Sequence, residues 1–461
     1  MLFRQVINED LGCASYLIGD PDTGVAAVVD PQWDVSPYLD AAGARGMRIA
    51  HVIETHTHAD HVSGRGRLHQ ATGATIHVSP IADADFPHEP LGDGAVINLG
   101  RVRLEAIHLP GHRPEHTGLL VIDAARGDDP WAVLTGDSLF VGDVGRPDLA
   151  VDAHEGARDL FGSIARLMEL PDWVEVYPGH IGGSLCGSAA ISAKTSTTIG
   201  YERAHSALLA LGDPEAFTQE LISRLGVKPP DLDRVVGMNT GPLVTPTPPA
   251  PALEGDELLR RAEAGALVID GRSSAAFAAA HVPRSLSVPL AGSGFATRAA
   301  LVAGRDDQLI LVASDEPSAR DMVERLAAVG RREVAGVLAG GFPAYLDEGL
   351  PTSSIERVRA ADLPARLAQD PGILIVDVRD PAEFRAGHVP GSLNRPYWEF
   401  RDGPGAIPTG RTLAVICSAG RRAGLAASAL ARFGLGPVIH VDNGGVGTLV
   451  GLGVEMLAGD D

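Results

Sequence analysis

The segment from Thr55 to His61 reads THTHADH: three histidines and an aspartate directly follow the apolar run AHVIE. Alternate side chains of an extended chain point the same way, so His56 and His58 can face one ion while Asp60 and His61 face a second. Three more residues of ligand type follow apolar runs downstream: His112 in LPGHRPEHTG, Asp137 in LTGDSLF and His180 in YPGHIGG. Imidazoles and carboxylates in this number suit either one transition metal with open coordination positions or two metals bridged by hydroxide. Most of the sixteen histidines, among them His51, His69, His77 and His440, read instead as surface or packing residues.

A second constellation lies near the other end of the chain. In VICSAGRRAG an apolar strand ends at Cys417, and the helix-like AGLAASALARFG follows. A strand, a tight loop and a helix N-terminus turn backbone N–H groups inward, a cradle that holds an anion and favours a thiolate. Arg421 and Arg422 add positive charge there. The remaining cysteines are Cys13 in GCASYLI, which reads as buried and inert, and Cys186, in a glycine-rich loop bordering the metal cluster. Three cysteines are too few for a disulfide framework and suit a reducing cytoplasm.

These residues need a scaffold that puts them at strand ends. From Val25 to His180, VAAVVDP, IAHVIETH, TIHVS, VINLG, VRLEAIHLPGH, GLLVID, WAVLTGD and VEVYPGH alternate with turn residues and read as strands. Several end at a His or Asp, which puts the ligands on loops at a sheet edge. HEGARDLFGSIARLMEL, His154 to Leu170, is an amphipathic helix. The region reads as two sheets between helices. After Gly241, PLVTPTPPAP holds five prolines in ten residues and marks a stiff, exposed connector. Beyond it, VIDGRSSAAFAAAHVPRSLSVP aligns without gaps on IVDVRDPAEFRAGHVPGSLNRP, so Asp270, Arg272, Phe277 and His281 fall on Asp377, Arg379, Phe384 and His388. This repeat implies two further α/β domains.

The ligand series His56, His58, Asp60, His61, His112, Asp137 and His180 resembles the metallo-β-lactamase superfamily, whose pattern is HxHxDH followed by His, Asp and His. GDSLFVGDVGRPDL, YPGHIGGSLCG and TSTTIGYER look like its persulfide dioxygenase branch, especially the fused bacterial forms. That resemblance implies one Fe(II) per chain held by His56, His112 and Asp137. His58, Asp60, His61 and His180 then orient ligands or move protons, unless they hold a second metal. Two metals, zinc or iron, would instead hydrolyse a thioester, as in the related hydroxyacylglutathione hydrolases. Arg146 is a candidate for binding the anionic part of a thiol carrier, with a structural role the alternative, and the same holds for Lys194, Tyr201 and Arg203.

The Cys417 loop resembles the rhodanese sulfurtransferases, whose CxxGxR matches Cys417, Gly420 and Arg422. The resemblance implies a Cys417 persulfide that passes sulfane sulfur to a nucleophile such as sulfite. Asp377, Arg379, Glu383 and His388 belong to that family's other signature and are treated as framework. The first copy has ASDEPSARD at the corresponding loop, with Ser314 roughly where cysteine should be, so it is expected to be catalytically silent. The last copy lacks the family's usual aromatic residues after its GG.

The expected fold is α/β: an αββα metallo-β-lactamase sandwich over 1–243, a silent rhodanese-like domain over 252–351 and a catalytic one over 356–461, both with central parallel sheets. A formal net charge of -21 argues against nucleic acid. No apolar run is long enough to span a membrane, and MLFRQVINED lacks a signal-peptide pattern. Expected partners are a small-molecule thiol persulfide, dioxygen and sulfite or thiosulfate, in a cytoplasmic homo-oligomer. A sulfur carrier or sensor with a structural metal is the non-catalytic alternative.

Overall fold

Strand Cys13–Asp20 is buried on both faces, and its two faces define the layers around it. Ala14, Tyr16 and Ile18 pack against Leu104, Leu119, Val121 and Leu134 of a second sheet. Leu17, on the opposite face, meets Tyr38, Ala41 and Leu68 from helices Ser36–Gly43 and Arg65–Thr72. The second sheet is covered in turn by helices Ala153–Leu167 and Pro214–Ser223, through Leu160, Ile164, Phe217 and Leu221. The result is an αββα sandwich of two six-stranded sheets. The computed structural model that shows this describes residues 1–188 and 190–459. The sandwich forms one unit from Met1 to Thr247, and a second unit begins at Pro248.

The predicted strands are present, but two more precede them. Leu2–Asn8 pairs antiparallel with Cys13–Asp20, which pairs antiparallel with Val25–Val29. A strand buried on both faces shows no polar alternation, which is why CASYLIGD carries little strand signal in the sequence.

The helix after the ligand loops starts at Asp152, whose carboxylate accepts from the N–H groups of His154 and Glu155. It buries Ala157, Leu160, Ile164 and Leu167 and lies directly against the loop carrying His112. Ser163 Oγ donates to Pro110 O at 2.6 Å. Gly111 has φ +136°, and a Cβ there would lie 2.4 Å from Leu160 Cα. Only glycine fits both the conformation and the space.

The second unit contains the same parallel fold twice. Leu309–Val312 and Leu267–Asp270 are central in one five-stranded sheet, Leu413–Ile416 and Leu374–Asp377 in the other. In each copy the shared signature builds the same buried clamp. Arg272 holds Asp270 and donates to Ala280 O; Arg379 holds Asp377 and donates to Gly387 O. His281 stacks on Phe277 at 3.9 Å and His388 on Phe384 at 3.7 Å. Strand register corrects the alignment of the silent loop. Asp270 pairs with Val312 as Asp377 pairs with Ile416, so the residue opposite Cys417 is Ala313, not Ser314. Neither residue has a thiol.

Substituting Gly111→Ala is expected to destabilise the N-terminal unit by about 2 kcal/mol through the clash and the strained φ. Thermal unfolding would read this as an earlier first transition, and metal retention would fall because His112 is displaced.

Candidate metal centre and thiol loop

Three side-chain atoms converge in the buried end of the sandwich. His56 Nε2 lies 3.8 Å from Asp137 Oδ2, and His112 Nε2 lies 3.4 Å from the same oxygen. All three residues are almost completely buried, and none of these three atoms has a hydrogen-bond partner. The other polar atom of each side chain is engaged. His56 Nδ1–H donates to Thr55 Oγ1 at 2.8 Å, and that hydroxyl donates to Asp30 Oδ2. His112 Nδ1–H donates to the carbonyl of Arg146 at 2.9 Å. Asp137 Oδ1 accepts from His180 Nδ1–H at 2.7 Å. These bonds set the tautomers so that two imidazole lone pairs and one carboxylate oxygen face a common point.

The electrostatics agree with this arrangement. Burial, reinforced by neighbouring imidazoles, holds His56 well below its usual pKa. Burial also lowers His112, against the pull of Asp137. Burial works against a charged Asp137, but His180 and His112 outweigh it and hold the carboxyl at about 2. Neutral imidazoles with an ionised carboxylate are the forms that ligate a cation. Orphaned donor atoms in fully buried side chains fit a metal, because a buried polar atom without a partner is otherwise costly.

The other four cluster residues point elsewhere. His58 Nε2 lies 3.2 Å from Asp30 Oδ1 and 3.3 Å from Glu54 Oε2. Burial disfavours its charge, yet these carboxylates raise its pKa to about 9. His180 Nε2 is 2.9 Å from Asp60 Oδ2, and His61 Nδ1 is 3.1 Å from Asp60 Oδ1. His58 Nδ1 and His61 Nε2 are buried without a hydrogen-bond partner.

In the C-terminal copy, Cys417 follows strand Leu413–Ile416 and helix Arg421–Phe433 begins four residues later. Gly420 has φ +90° and its N–H donates to Cys417 Sγ at 3.0 Å. Arg422 donates to Ser418 Oγ at 2.8 Å and to Glu383 Oε1 at 2.9 Å. Glu383 therefore does more than frame the fold, since it ties the active loop to the helix Pro381–Ala386. Arg421 is exposed and extends over Gly292 of the first copy.

The model of the metallo-beta-lactamase superfamily matches residues 8–180, and that of the rhodanese-like domain matches 254–348 and 360–447. A hydroxyacylglutathione hydrolase from Methylococcus capsulatus is 35% identical over 173 residues, 36% of this chain and 60% of the hydrolase. The mitochondrial persulfide dioxygenase of Homo sapiens is 32% identical over 187 residues, 39% of this chain and 68% of that protein. The chain belongs to the metallo-beta-lactamase superfamily and carries two rhodanese-like domains. A solved metallo-beta-lactamase from Staphylococcus aureus subsp. aureus COL is 29% identical, with a TM-score of 0.65, covering 73% of this chain and 98% of that one. The chain spans less than two thirds of the Methylococcus hydrolase.

Within the metallo-beta-lactamase domain, one of the candidate substrate residues has structural work instead. Arg146 is buried, pairs with Asp148 and donates to the carbonyls of Leu185, Gly226 and Val227. Its guanidinium is used up on the protein, which rules out the carrier-binding role, while its own carbonyl orients His112. Arg203 is half-exposed and pairs with Asp172 and the carbonyls of Met168 and Leu170. Lys194 lies over the exposed Tyr201 ring at 5.8 Å, so these two remain together on the surface.

Sequence reasoning missed Thr55, Asp30 and His116. Asp30 adopts φ +50° and accepts from both the N–H and the hydroxyl of Thr55. His116 Nε2 accepts from the Asp137 N–H at 2.9 Å, and its ring stacks on His56. The available signal is the position of Asp30 and Thr55 at strand ends and of His116 within LPGHRPEHTG. Thr55→Val removes the acceptor for His56 Nδ1–H and is expected to weaken metal binding by roughly ten- to a hundredfold. Competition with a chelator of known affinity measures it.

Proposed function

We propose that the chain is a persulfide dioxygenase with an attached sulfurtransferase, using one Fe(II) held by His56, His112 and Asp137. The observation that carries this reading is the convergence of His56 Nε2, His112 Nε2 and Asp137 Oδ2 as buried, unpartnered atoms while His58 is drawn aside by Asp30 and Glu54. A two-histidine, one-carboxylate set suits an iron that activates dioxygen, because it leaves positions free for both reactants. Support also comes from the likeness to the human persulfide dioxygenase and from the rhodanese-like domains, since both concern sulfane sulfur.

The chain's own residues then have separable tasks. Thr55 and the Arg146 carbonyl orient the two imidazoles, and His180 orients Asp137. The buried walls would hold a low-molecular-weight thiol persulfide and dioxygen close together. Dioxygen supplies two oxygens to the outer sulfur and water the third, so the sulfur leaves as sulfite, two protons are released and the thiol is freed. Cys417 accepts sulfane sulfur as a persulfide and passes it to sulfite, giving thiosulfate, or runs the same transfer in reverse. Arg422, held by Glu383, supplies positive charge to the transferred anion, and joining both activities in one chain raises the effective concentration of their shared intermediate.

A second reading is a dinuclear thioester hydrolase. The Asp60, His61 and His180 cluster and the likeness to hydroxyacylglutathione hydrolases favour it. Oxygen uptake by anaerobically iron-loaded protein on addition of glutathione persulfide separates the two. Rapid uptake with sulfite formed, falling to background in His112→Ala and unchanged in Cys417→Ser, is the expected result. The Cys417→Ser variant should lose sulfur transfer to sulfite. No uptake with glutathione, coenzyme A or cysteine persulfides, together with turnover of a glutathione thioester, would establish the hydrolase instead.

A further inference from the structure

His440 reads in the sequence as a packing residue, yet its ring reaches the loop that carries Cys417. It lies on strand Val438–Asp442, almost completely buried, and its Nε2–H donates to Gly420 O at 2.8 Å. The same carbonyl accepts from Gly424 N–H at 2.9 Å, in the first turn of helix Arg421–Phe433. Held from two sides, that carbonyl fixes Gly420 at φ +90°, and the Gly420 N–H then donates to Cys417 Sγ at 3.0 Å. The surroundings are shaped to the ring. A Cβ at Gly424 would lie 2.9 Å from His440 Cε1, and one at Gly420 would lie 2.6 Å from Asp442 Oδ1. Arg357, on the neighbouring strand Glu356–Arg359, pairs with Asp442 and holds that carboxylate in place.

The silent copy supplies an internal comparison. Val337 pairs with Leu311 as His440 pairs with Val415, so valine stands where the catalytic copy has the histidine. Arg357 pairs in register with His440 and Ala252 with Val337, and two residues beyond, Ala339 takes the place of Asp442. The first copy therefore lacks the ring, the carboxylate and the guanidinium together with the thiol. It keeps the Arg–Asp clamp and the stacked histidine. Valine satisfies the packing of this strand where no thiol has to be served.

We propose that His440 is a positioning residue for sulfur transfer: by holding the Gly420 carbonyl it keeps the Gly420 N–H aimed at Cys417, where that bond favours the thiolate over the thiol. This inference rests on the sulfurtransferase reading of the Cys417 loop. Burial holds His440 below its usual pKa, so the ring is neutral while the thiol ionises, and its one proton sits on Nε2. On ionisation the Cys417 S–H bond breaks and the proton goes to solvent; nothing is oxidised or reduced.

Alkylation of full-length protein by iodoacetamide across a pH series, read at Cys417 by mass spectrometry, follows the thiolate directly. His440→Leu is expected to move the midpoint up by about one pH unit. Below the midpoint, sulfur transfer from glutathione persulfide to sulfite should slow about tenfold, with KM for sulfite changed less than about twofold. His440→Gln, whose amide N–H can reach the same carbonyl, should retain most of the parent rate. Val441→Ala, in the core on the other face of the same strand, should lower stability without moving the midpoint. Arg421, Arg422, Glu383 and Asp380 around the thiol loop and Asp442 and Arg357 beside the ring are present in every variant, so a shift reports on the geometry of the loop. If far-ultraviolet circular dichroism shows that His440→Leu does not fold, Gly424→Ala replaces it, because the added methyl displaces the ring and the same upward shift is expected. An unmoved midpoint in the folded variant, a glutamine variant as impaired as the leucine one, or an equal shift in Val441→Ala would overturn the assignment. A shifted midpoint in a protein that forms no thiosulfate would sink the sulfurtransferase reading and leave the positioning of Cys417 standing.

Discussion

A fully buried carboxylate has to be matched by oriented donors, and Asp137 imposes that requirement on the whole N-terminal unit. Its N–H is taken by His116, its Oδ1 by His180, and its Oδ2 is left facing two imidazole nitrogens. The partners arrive on three loops, His112 and His116 sharing the one between strands Val102–His108 and Thr117–Asp123. The two sheets, the helix Ala153–Leu167 and the glycine at 111 together hold those loops close enough for the charge to be satisfied. A cation at the remaining vertex would complete the set, which is why the orphaned atoms are informative rather than incidental.

The same argument separates the residues that touch the proposed reaction from those that hold it in shape. Arg146 looks from its motif like an anion binder, but burial forces its guanidinium to find protein carbonyls. Its contribution is rigidity in the loop whose carbonyl orients His112. Asp30 acts similarly, and through Thr55 it reaches His56 without approaching the metal position.

The duplicated half of the chain shows a fold outlasting its chemistry. The buried Arg–Asp clamp and the stacked histidine recur in both copies because each satisfies a charge or fills a layer that the parallel sheet requires. The thiol is needed by no such packing constraint, and the first copy has alanine in its place. The second copy adds Gly420 and the Glu383–Arg422 pair around Cys417, and of these only Glu383 reads as framework in the sequence.

By itself, the sequence determined the architecture and the identity of most donors. HxHxDH, the PGH and TGD strand ends and the CxxGxR loop are local patterns, and local patterns survive in one dimension. The parallel sheets of the repeat and the sandwich of the N-terminal unit follow from the same kind of signal. Tertiary structure decided which atoms converge. His56 and His58 are two residues apart and equivalent by spacing, yet Asp30 and Glu54 draw one away while Thr55 aims the other inward. Cys13 reads as inert from GCASYLI alone, and only the meeting of three distant backbone segments gives it Asp60, His61 and His180 as neighbours. The register that places Ala313 opposite Cys417 is likewise a property of strand pairing. Hydrogen bonds between residues far apart in sequence choose rotamers and tautomers, and no spacing rule encodes them.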